Sequence, residues 1–367
     1  MLPLRIAAEL LRLTRDRLPS RSSVPRDLRS VTAAWLSGVL GSRVDAIERI
    51  DSTVGTTQRA RFRLEGDGAP GSVFVKLAPR APATRAFVNM MALGLNEVGF
   101  YRRIRPGLPI EAPGVHATAA DPSLGRFVLV LEDLAARGCR FADVRETPTL
   151  DQAQAVVTAL ARLHAHFWES PRFAADLTWV TAHAGDPNAK LVGGLLRVAL
   201  RRLARAHPDL VPRGAIMFVD RRDEIESALG AGPVTLLHGD PHFGNLYFDG
   251  DVPGFLDWQV VRRGSGLRDL AYFVVLSLDE ALRTANERDL LGRYLEELRA
   301  RGAVAPTFDA AWERYRVEAF YPWTAAAFTA GMGGFQAAEI ATAGLRRATA
   351  ALGDLDTVRA VERRLER

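Results

Sequence analysis

Asp240, Asn245 and Asp257 are the residues whose types and spacing are best suited to chemistry. The first two lie five apart in Leu236-Leu237-His238-Gly239-Asp240-Pro241-His242-Phe243-Gly244-Asn245-Leu246-Tyr247-Phe248, a dense polar centre between apolar flanks. Twelve residues beyond Asn245, the apolar run Gly254-Phe255-Leu256 ends in Asp257-Trp258-Gln259. A rigid polar loop beside a carboxylate at the end of a buried strand is a magnesium-site pattern. Magnesium takes hard oxygen ligands and keeps several waters, so one carboxylate and one amide oxygen suffice beside nucleotide phosphates. The second carboxylate is then left to orient an acceptor hydroxyl. The competing reading is a polar turn pair with no metal.

Phosphates also need a buried cation. Of 48 basic residues only Lys76 and Lys190 are lysine, and the other 46 are arginine. A lysine in the strand-like run Val73-Phe74-Val75-Lys76 is therefore a selected residue. A planar guanidinium does not replace a compact ammonium between phosphates and a carboxylate. Glu97, 21 residues further in a helical stretch, is the best candidate for that carboxylate. A solvent-facing strand lysine and a solvated helix glutamate are the plainer alternatives.

His238-Gly239-Asp240 followed by four residues and Asn245 resembles the kinase catalytic loop H-R-D-x-x-x-x-N, with Gly for Arg. That replacement is found in aminoglycoside phosphotransferases and their choline-kinase and ecdysteroid-kinase-like relatives. Asp257-Trp258-Gln259 is similar to that family's counterpart of D-F-G, and Asp269-Leu270-Ala271-Tyr272 also matches it. The resemblance runs from about Asp45 to Tyr272. It implies an α+β, protein-kinase-like two-lobe fold, with a small antiparallel β-rich lobe and a large helical one. It implies ATP and Mg2+ as cofactors and transfer of the γ-phosphate to a hydroxyl of a small molecule. Asp240 would accept or orient the acceptor proton, and Asn245 and Asp257 would hold magnesium. His238 and Asp269 would support the loop, and Lys76 with Glu97 would serve the phosphates. Ser52, Thr53 and Gly55, in Asp51-Ser52-Thr53-Val54-Gly55-Thr56-Thr57, would cover them, although this loop lacks G-x-G-x-x-G; an ordinary hairpin turn is the alternative. Val128–Leu131 and Glu132 resemble the inter-lobe strand whose backbone meets adenine. In similar kinases a segment like Leu163-His164-Ala165 packs beneath the catalytic loop. Two His two apart do not share a helix face, so His164 and His166 make a poor metal pair.

The positioning elements follow from periodicity. Asp27–Leu40 is predicted helical. Val44–Ile50, Thr57–Leu64 and Ser72–Leu77 are predicted strands of a meander, with Gly66-Asp67-Gly68 and Pro70-Gly71 turning the last two. A helix is expected over Ala83–Tyr101, then prolines 106, 109 and 113 interrupting regular structure, then a strand over Arg126–Leu131. Asp151–Trp168 carries a helical apolar face, and helices resume after about Gly266. The expected organisation is an N-terminal helical extension (1–41), a nucleotide-binding N-lobe (42–134) and a helical C-lobe with catalytic loop and acceptor site (135–367).

Composition excludes more than it identifies. The chain has 367 residues, 48% of them hydrophobic, net charge +5 and a single cysteine, Cys139. An internal disulfide or a multi-thiolate metal site is impossible, and a cytoplasmic compartment is expected. The basic residues are interspersed with 43 acidic ones and form no nucleic-acid signature. No unbroken apolar stretch is long enough for a span. Residues 1–17 read as an amphipathic helix that packs on the protein, with weak peripheral membrane contact as the alternative. The expected partner is a small-molecule hydroxyl acceptor; the oligomeric state stays open. Trp312, Tyr315, Phe320, Tyr321, Trp323 and Phe328 crowd one stretch, as helical core or as pocket lining. The arginine-rich end, 359–367, is a poor match for a polycationic aminoglycoside. A hydroxylated lipophile, macrolide or steroid-like alcohol fits better, and a choline-like acceptor would use the aromatics. Two other classes are a catalytically silent nucleotide-binding protein and a basic protein binding acidic partners.

Overall fold

The computed structural model describes residues 2–366; Met1 and Arg367, which fall in the expected N-terminal helix and arginine-rich end, lie outside them. The chain forms two compact units. One holds the chain up to Leu108 together with 112–140 and 257–260; the other holds 109–111, 141–256 and the chain from Val261 onward. The expected extension over 1–41 is thus grouped with the first unit, which also recruits four residues from far along the chain.

The first unit is built on an antiparallel sheet of β1 (Ala46–Val54), β2 (Gln58–Glu65), β3 (Ser72–Leu77), β4 (Val115–Asp121) and β5 (Arg126–Glu132), in the order β1-β2-β3-β5-β4. Strand side chains alternate between faces. Val73, Val75 and Leu77 enter a core with Phe62, Leu64, Val128 and Val130, closed by Val31 and Leu36. Phe74 and Lys76 consequently face the other way. Helices α1 (Leu2–Arg17), α2 (Ala33–Leu40), α3 (Pro82–Met90) and α4 (Leu93–Arg103) complete the unit.

Several elements differ from the sequence reading. The helix expected from Asp27 starts only at Ala33, where the Thr32 hydroxyl caps the Trp35 N–H at 3.2 Å. The helix expected over Ala83–Tyr101 is two, parted at Ala92, whose φ is 56°. Strand β4 forms directly after the prolines, where no strand was expected. β1 runs on to Val54, so Ser52 and Thr53 are strand residues opposite Ala60 and Arg59. The turn shrinks to Gly55-Thr56-Thr57, closed by Gly55 N–H donating to Thr57 O at 3.0 Å.

Helix α1 docks through charge. Asp16 receives Arg85 at 2.9 Å and Arg126 at 2.5 Å. Glu9 accepts from Asn89 Nδ2 at 2.6 Å and pairs with Arg12. No helix among the described residues is long and apolar enough to cross a membrane.

The second unit is mostly helical: α5 (Leu150–His166), α6 (Ala189–Ala206), α7 (Met217–Asp220), α8 (Arg222–Leu229), α9 (Leu267–Ser277), α10 (Glu280–Ala300), α11 (Phe308–Glu318), α12 (Phe320–Met332), α13 (Ala338–Asp354) and α14 (Thr357–Leu365). Thr149 and Gln152 close a reciprocal capping box at the start of α5. The remaining strands are short: β6 (Arg140–Phe141), β7 (Thr235–Leu237), β8 (Leu246–Asp249), β9 (Val252–Phe255) and β10 (Arg262–Gly264). β7 pairs with β10 and β8 with β9, so the polar loop 238–245 is held at both ends by strands.

Candidate active site

The first unit gathers two carboxylates around one ammonium nitrogen. Lys76 Nζ lies 2.9 and 2.7 Å from the two Glu97 oxygens and 2.7 Å from Asp257 Oδ1. Lys76 and Glu97 are buried, while the Asp257 side chain is about a quarter exposed. The strand alternation turns Lys76 away from the aliphatic core, and α4 brings Glu97 to it. Asp257 arrives from the recruited segment, fixed by Trp258 stacking on Phe100 at a centroid distance of 4.0 Å and by Asn96 Nδ2 donating to Gln259 O at 3.2 Å. Asp257 has φ 61°, an uncommon conformation for a residue with a side chain.

One ammonium faces two carboxylates here, leaving an excess negative charge. Burial works to lower the Lys76 ammonium, but Asp257 and Glu97 outweigh it and hold it above its ordinary value. Burial lifts Glu97 to about 7 against the pull of Lys76, with Asp257 adding to the lift. A proton on Glu97 relieves that excess, as would a divalent cation at Asp257.

Of the remaining first-unit candidates, Ser52, Thr53 and Gly55 are exposed on the β1–β2 hairpin. The Glu132 N–H donates to Gly114 O at 2.9 Å, and its carboxylate accepts from Gly114 N–H at 3.0 Å and Arg137 at 3.1 Å. The Glu132 N–H is therefore committed within its own unit.

In the second unit the loop is braced by buried Asp269 on α9. Its oxygens accept the His238 N–H at 2.6 Å and the Gly239 N–H at 3.0 Å. Gly239 has φ 86°, which lets two successive N–H groups converge on one carboxylate; a side chain there is strained. The His238 ring spans the loop. Its Nε2 meets Leu256 O at 2.8 Å, and its Nδ1 receives the Asp240 N–H at 3.2 Å. A carbonyl only accepts and an amide N–H only donates, so the ring is the neutral Nε2–H tautomer. Beneath it, buried His164 contacts Tyr294 Oη at 2.8 Å and Asp269 at 3.4 Å. Gly266 permits this approach, since a Cβ there would stand 2.2 Å from Tyr294 Oη.

Asp240 and Asn245 are joined directly: Asn245 Nδ2 donates to Asp240 O at 2.9 Å and Asp240 Oδ2 at 3.1 Å. This fixes the amide's orientation and leaves Asn245 Oδ1, a hard donor, without a hydrogen-bond partner among the described residues. Among those residues no cluster of three or more His, Cys, Asp or Glu side chains could hold a metal. Asp257 and Asn245 each offer a hard oxygen of the kind a divalent cation takes.

Sequence reasoning assigns no site role to Tyr272, His183 or His242, and leaves Tyr321 as core or pocket lining. Tyr272, in the quoted Asp269-Leu270-Ala271-Tyr272 stretch, is hydrogen-bonded to Asp240; burial and then that carboxylate push its hydroxyl well above the ordinary range. Tyr321 donates to Gly239 O at 3.4 Å and packs 5.6 Å from the Tyr272 ring and 4.9 Å from His183. Burial raises Tyr321 to about 12. Burial also drives His183 well down, followed by the charges of Arg268, Arg262 and Arg222. His242 Nε2 lies 3.9 Å from Asp240 Oδ1. From the aromatic crowd, Tyr315, Phe320 and Trp323 are core residues, whereas Tyr321 reaches the loop.

An antiparallel-sheet unit with a buried Lys–Glu pair, and a helical unit carrying a braced His-Gly-Asp loop, make the protein-kinase-like fold of small-molecule phosphotransferases. Residues 52–317 match the phosphotransferase enzyme family, and the chain belongs to it. Similar solved structures include a choline kinase from Cryptosporidium parvum Iowa II (TM-score 0.55, 9% identity, 88% of this chain and 93% of that one). An amicoumacin kinase in complex with AMP-PNP, Ca2+ and Ami is similar at TM-score 0.51 and 12% identity, over 84% of this chain and 88% of that one. A Plasmodium vivax ethanolamine kinase follows at TM-score 0.50 and 14% identity, over 84% and 82%. No curated protein matches the sequence.

Proposed function

We propose that the protein transfers the γ-phosphate of ATP to a hydroxyl of a small molecule. The observation that carries this reading is the buried Lys76 between Glu97 and Asp257, an ion cluster with one carboxylate too many for its own stability. Replacing a buried ion set by apolar residues is often neutral or stabilising, so a cluster left out of balance is better explained by what it binds. Lys76 steadies the phosphates, with Glu97 fixing the ammonium. Asn245 Oδ1 and Asp257 hold magnesium, which when bound neutralises charge on the phosphate oxygens. Asp240 accepts the proton of the acceptor hydroxyl or orients it, and the Asn245 and Tyr272 hydrogen bonds fix where its carboxylate stands. His238 and Asp269 position this loop. The hairpin tip at Gly55, with Ser52 and Thr53 on its strand, covers the phosphates, and the end of β5 at Glu132 borders adenine.

The acceptor is a neutral or anionic alcohol. The aromatic and imidazole rings beside Asp240 feel three guanidinium groups, Arg222, Arg262 and Arg268. Arg262 is paired with Asp186 and Arg268 with Glu226 and Glu318, which leaves Arg222 with no ion pair among the described residues. Such surroundings disfavour a polycation. The test is ATP consumption across choline, an aminoglycoside and hydroxylated fatty acids. The acids are expected to be turned over best; choline as the preferred acceptor would reverse the assignment. Separately, Asp257→Ala should abolish the magnesium dependence of nucleotide binding in calorimetry, and an unchanged dependence removes Asp257 as a ligand.

A further inference from the structure

Helix α1 is inside out. Its two carboxylates, Glu9 and Asp16, are each 3% exposed and tied inward to Asn89, Arg85 and Arg126. Three of its aliphatic side chains face water instead: Ile6 is 43% exposed, Leu10 59% and Leu11 52%, with Leu13 half-buried and Leu18 just beyond the helix at 61% exposed. Positions 6, 10 and 11 fall on one side of a helix of 3.6 residues per turn. Ala7, Ala8 and Thr14 are exposed as well, and Arg15, Arg17 and Arg21 supply exposed cations. Glu9 and Asp16 are the only carboxylates before Asp27. The outward surface of this segment is therefore aliphatic and cationic, and its acids are all spent on docking the helix.

We propose that the outward face of α1 docks on an anionic lipid surface, the helix lying in the headgroup plane with Ile6, Leu10 and Leu11 immersed and the arginines among the phosphates. An apolar stripe flanked by arginine is the composition that binds such interfaces, through buried apolar area plus attraction to anionic lipid. Charge argues against a second copy as the occupant, since two such faces would set arginine against arginine with no exposed carboxylate between them. One short helix gives reversible attachment. This placement is independent of the phosphotransfer reading.

The test sediments the full chain with vesicles of phosphatidylcholine alone and of phosphatidylcholine containing phosphatidylglycerol. Binding is expected to the anionic vesicles only, and to fall with added salt. Leu10→Glu with Leu11→Glu should reduce it by about tenfold or more, and Arg15→Gln and Arg17→Gln by about fivefold each. Both pairs of changes lie at exposed positions, so thermal unfolding should be unaltered. No binding to either vesicle overturns the proposal, as does equal binding to both. So does a wild-type dimer in light scattering that the Leu10→Glu, Leu11→Glu variant dissolves, which would assign the face to a second copy.

Discussion

The two units solve the problem of placing a carboxylate by opposite means. In the first unit Asp257 is held by charge and by a stacked tryptophan, opposite a lysine 181 residues away in sequence. In the second, Asp240 is held through its loop: the His238 and Gly239 N–H groups donate to Asp269, the Asp240 N–H donates to the His238 ring, and the Asn245 side-chain amide donates to Asp240. The first cluster is unbalanced in charge, and the second is close to self-satisfied. Charge clusters respond to pH, salt and ligand, whereas a backbone-braced loop responds to whatever removes its acceptor. Substitutions in the first should therefore register in chemistry, and those bracing the second in stability.

The largest effect expected is from Asp240→Ala. It should lower turnover by about a thousandfold while ATP affinity in calorimetry changes little, because the loop's brace is elsewhere. Wild-type turnover would remove Asp240 from the chemistry. Lys76→Arg should cost about a hundredfold in turnover, since the guanidinium cannot sit between two carboxylates and a phosphate as an ammonium does. Retained activity would show that any cation suffices. Asp269→Ala strips the acceptor from two buried N–H groups, at about 1–3 kcal/mol each. A lowered midpoint in chemical denaturation checks it, and an unchanged midpoint would mean the loop is not braced as described.

The smallest effect concerns pH. Glu97 titrates at about 7 in the folded chain, against 4.5 ordinarily. The folded state thus holds this proton more tightly than the unfolded one. The resulting stability is present in full below about 4.5 and is lost as pH rises through about 7. Glu97→Gln should remove that decline. Denaturation midpoints at pH 5 and pH 8 that shift equally in both proteins would indicate that Glu97 is not the group responsible.

The loop and its spacing were legible in the sequence because a backbone-braced turn must be encoded locally: Gly where φ is positive, Asp and Asn at a fixed separation. The Lys76–Glu97 pair was legible for a different reason, the rarity of lysine in an arginine-rich chain. What stayed hidden depends on tertiary placement. β4, Val-His-Ala-Thr-Ala-Ala-Asp, has weak strand propensity and follows three prolines, so only pairing with β5 reveals it. The break at Ala92 carries neither Gly nor Pro. Tyr321 belongs to an aromatic crowd whose other members are mostly core, and no periodicity separates it from them. Helix α1 reads as amphipathic, but periodicity cannot say which face is inward; buried arginines elsewhere decide that.

The four residues 257–260 also set where this chain can be cut. A fragment ending at Arg140 would retain every strand of the five-stranded sheet yet lack the indole that covers Phe100 and the second counter-ion of Lys76. An exposed phenylalanine face is a poor foundation for an autonomous fragment. Supplying Asp257-Trp258-Gln259-Val260 in trans, as a peptide, becomes a way to ask whether the first unit can be reassembled from pieces.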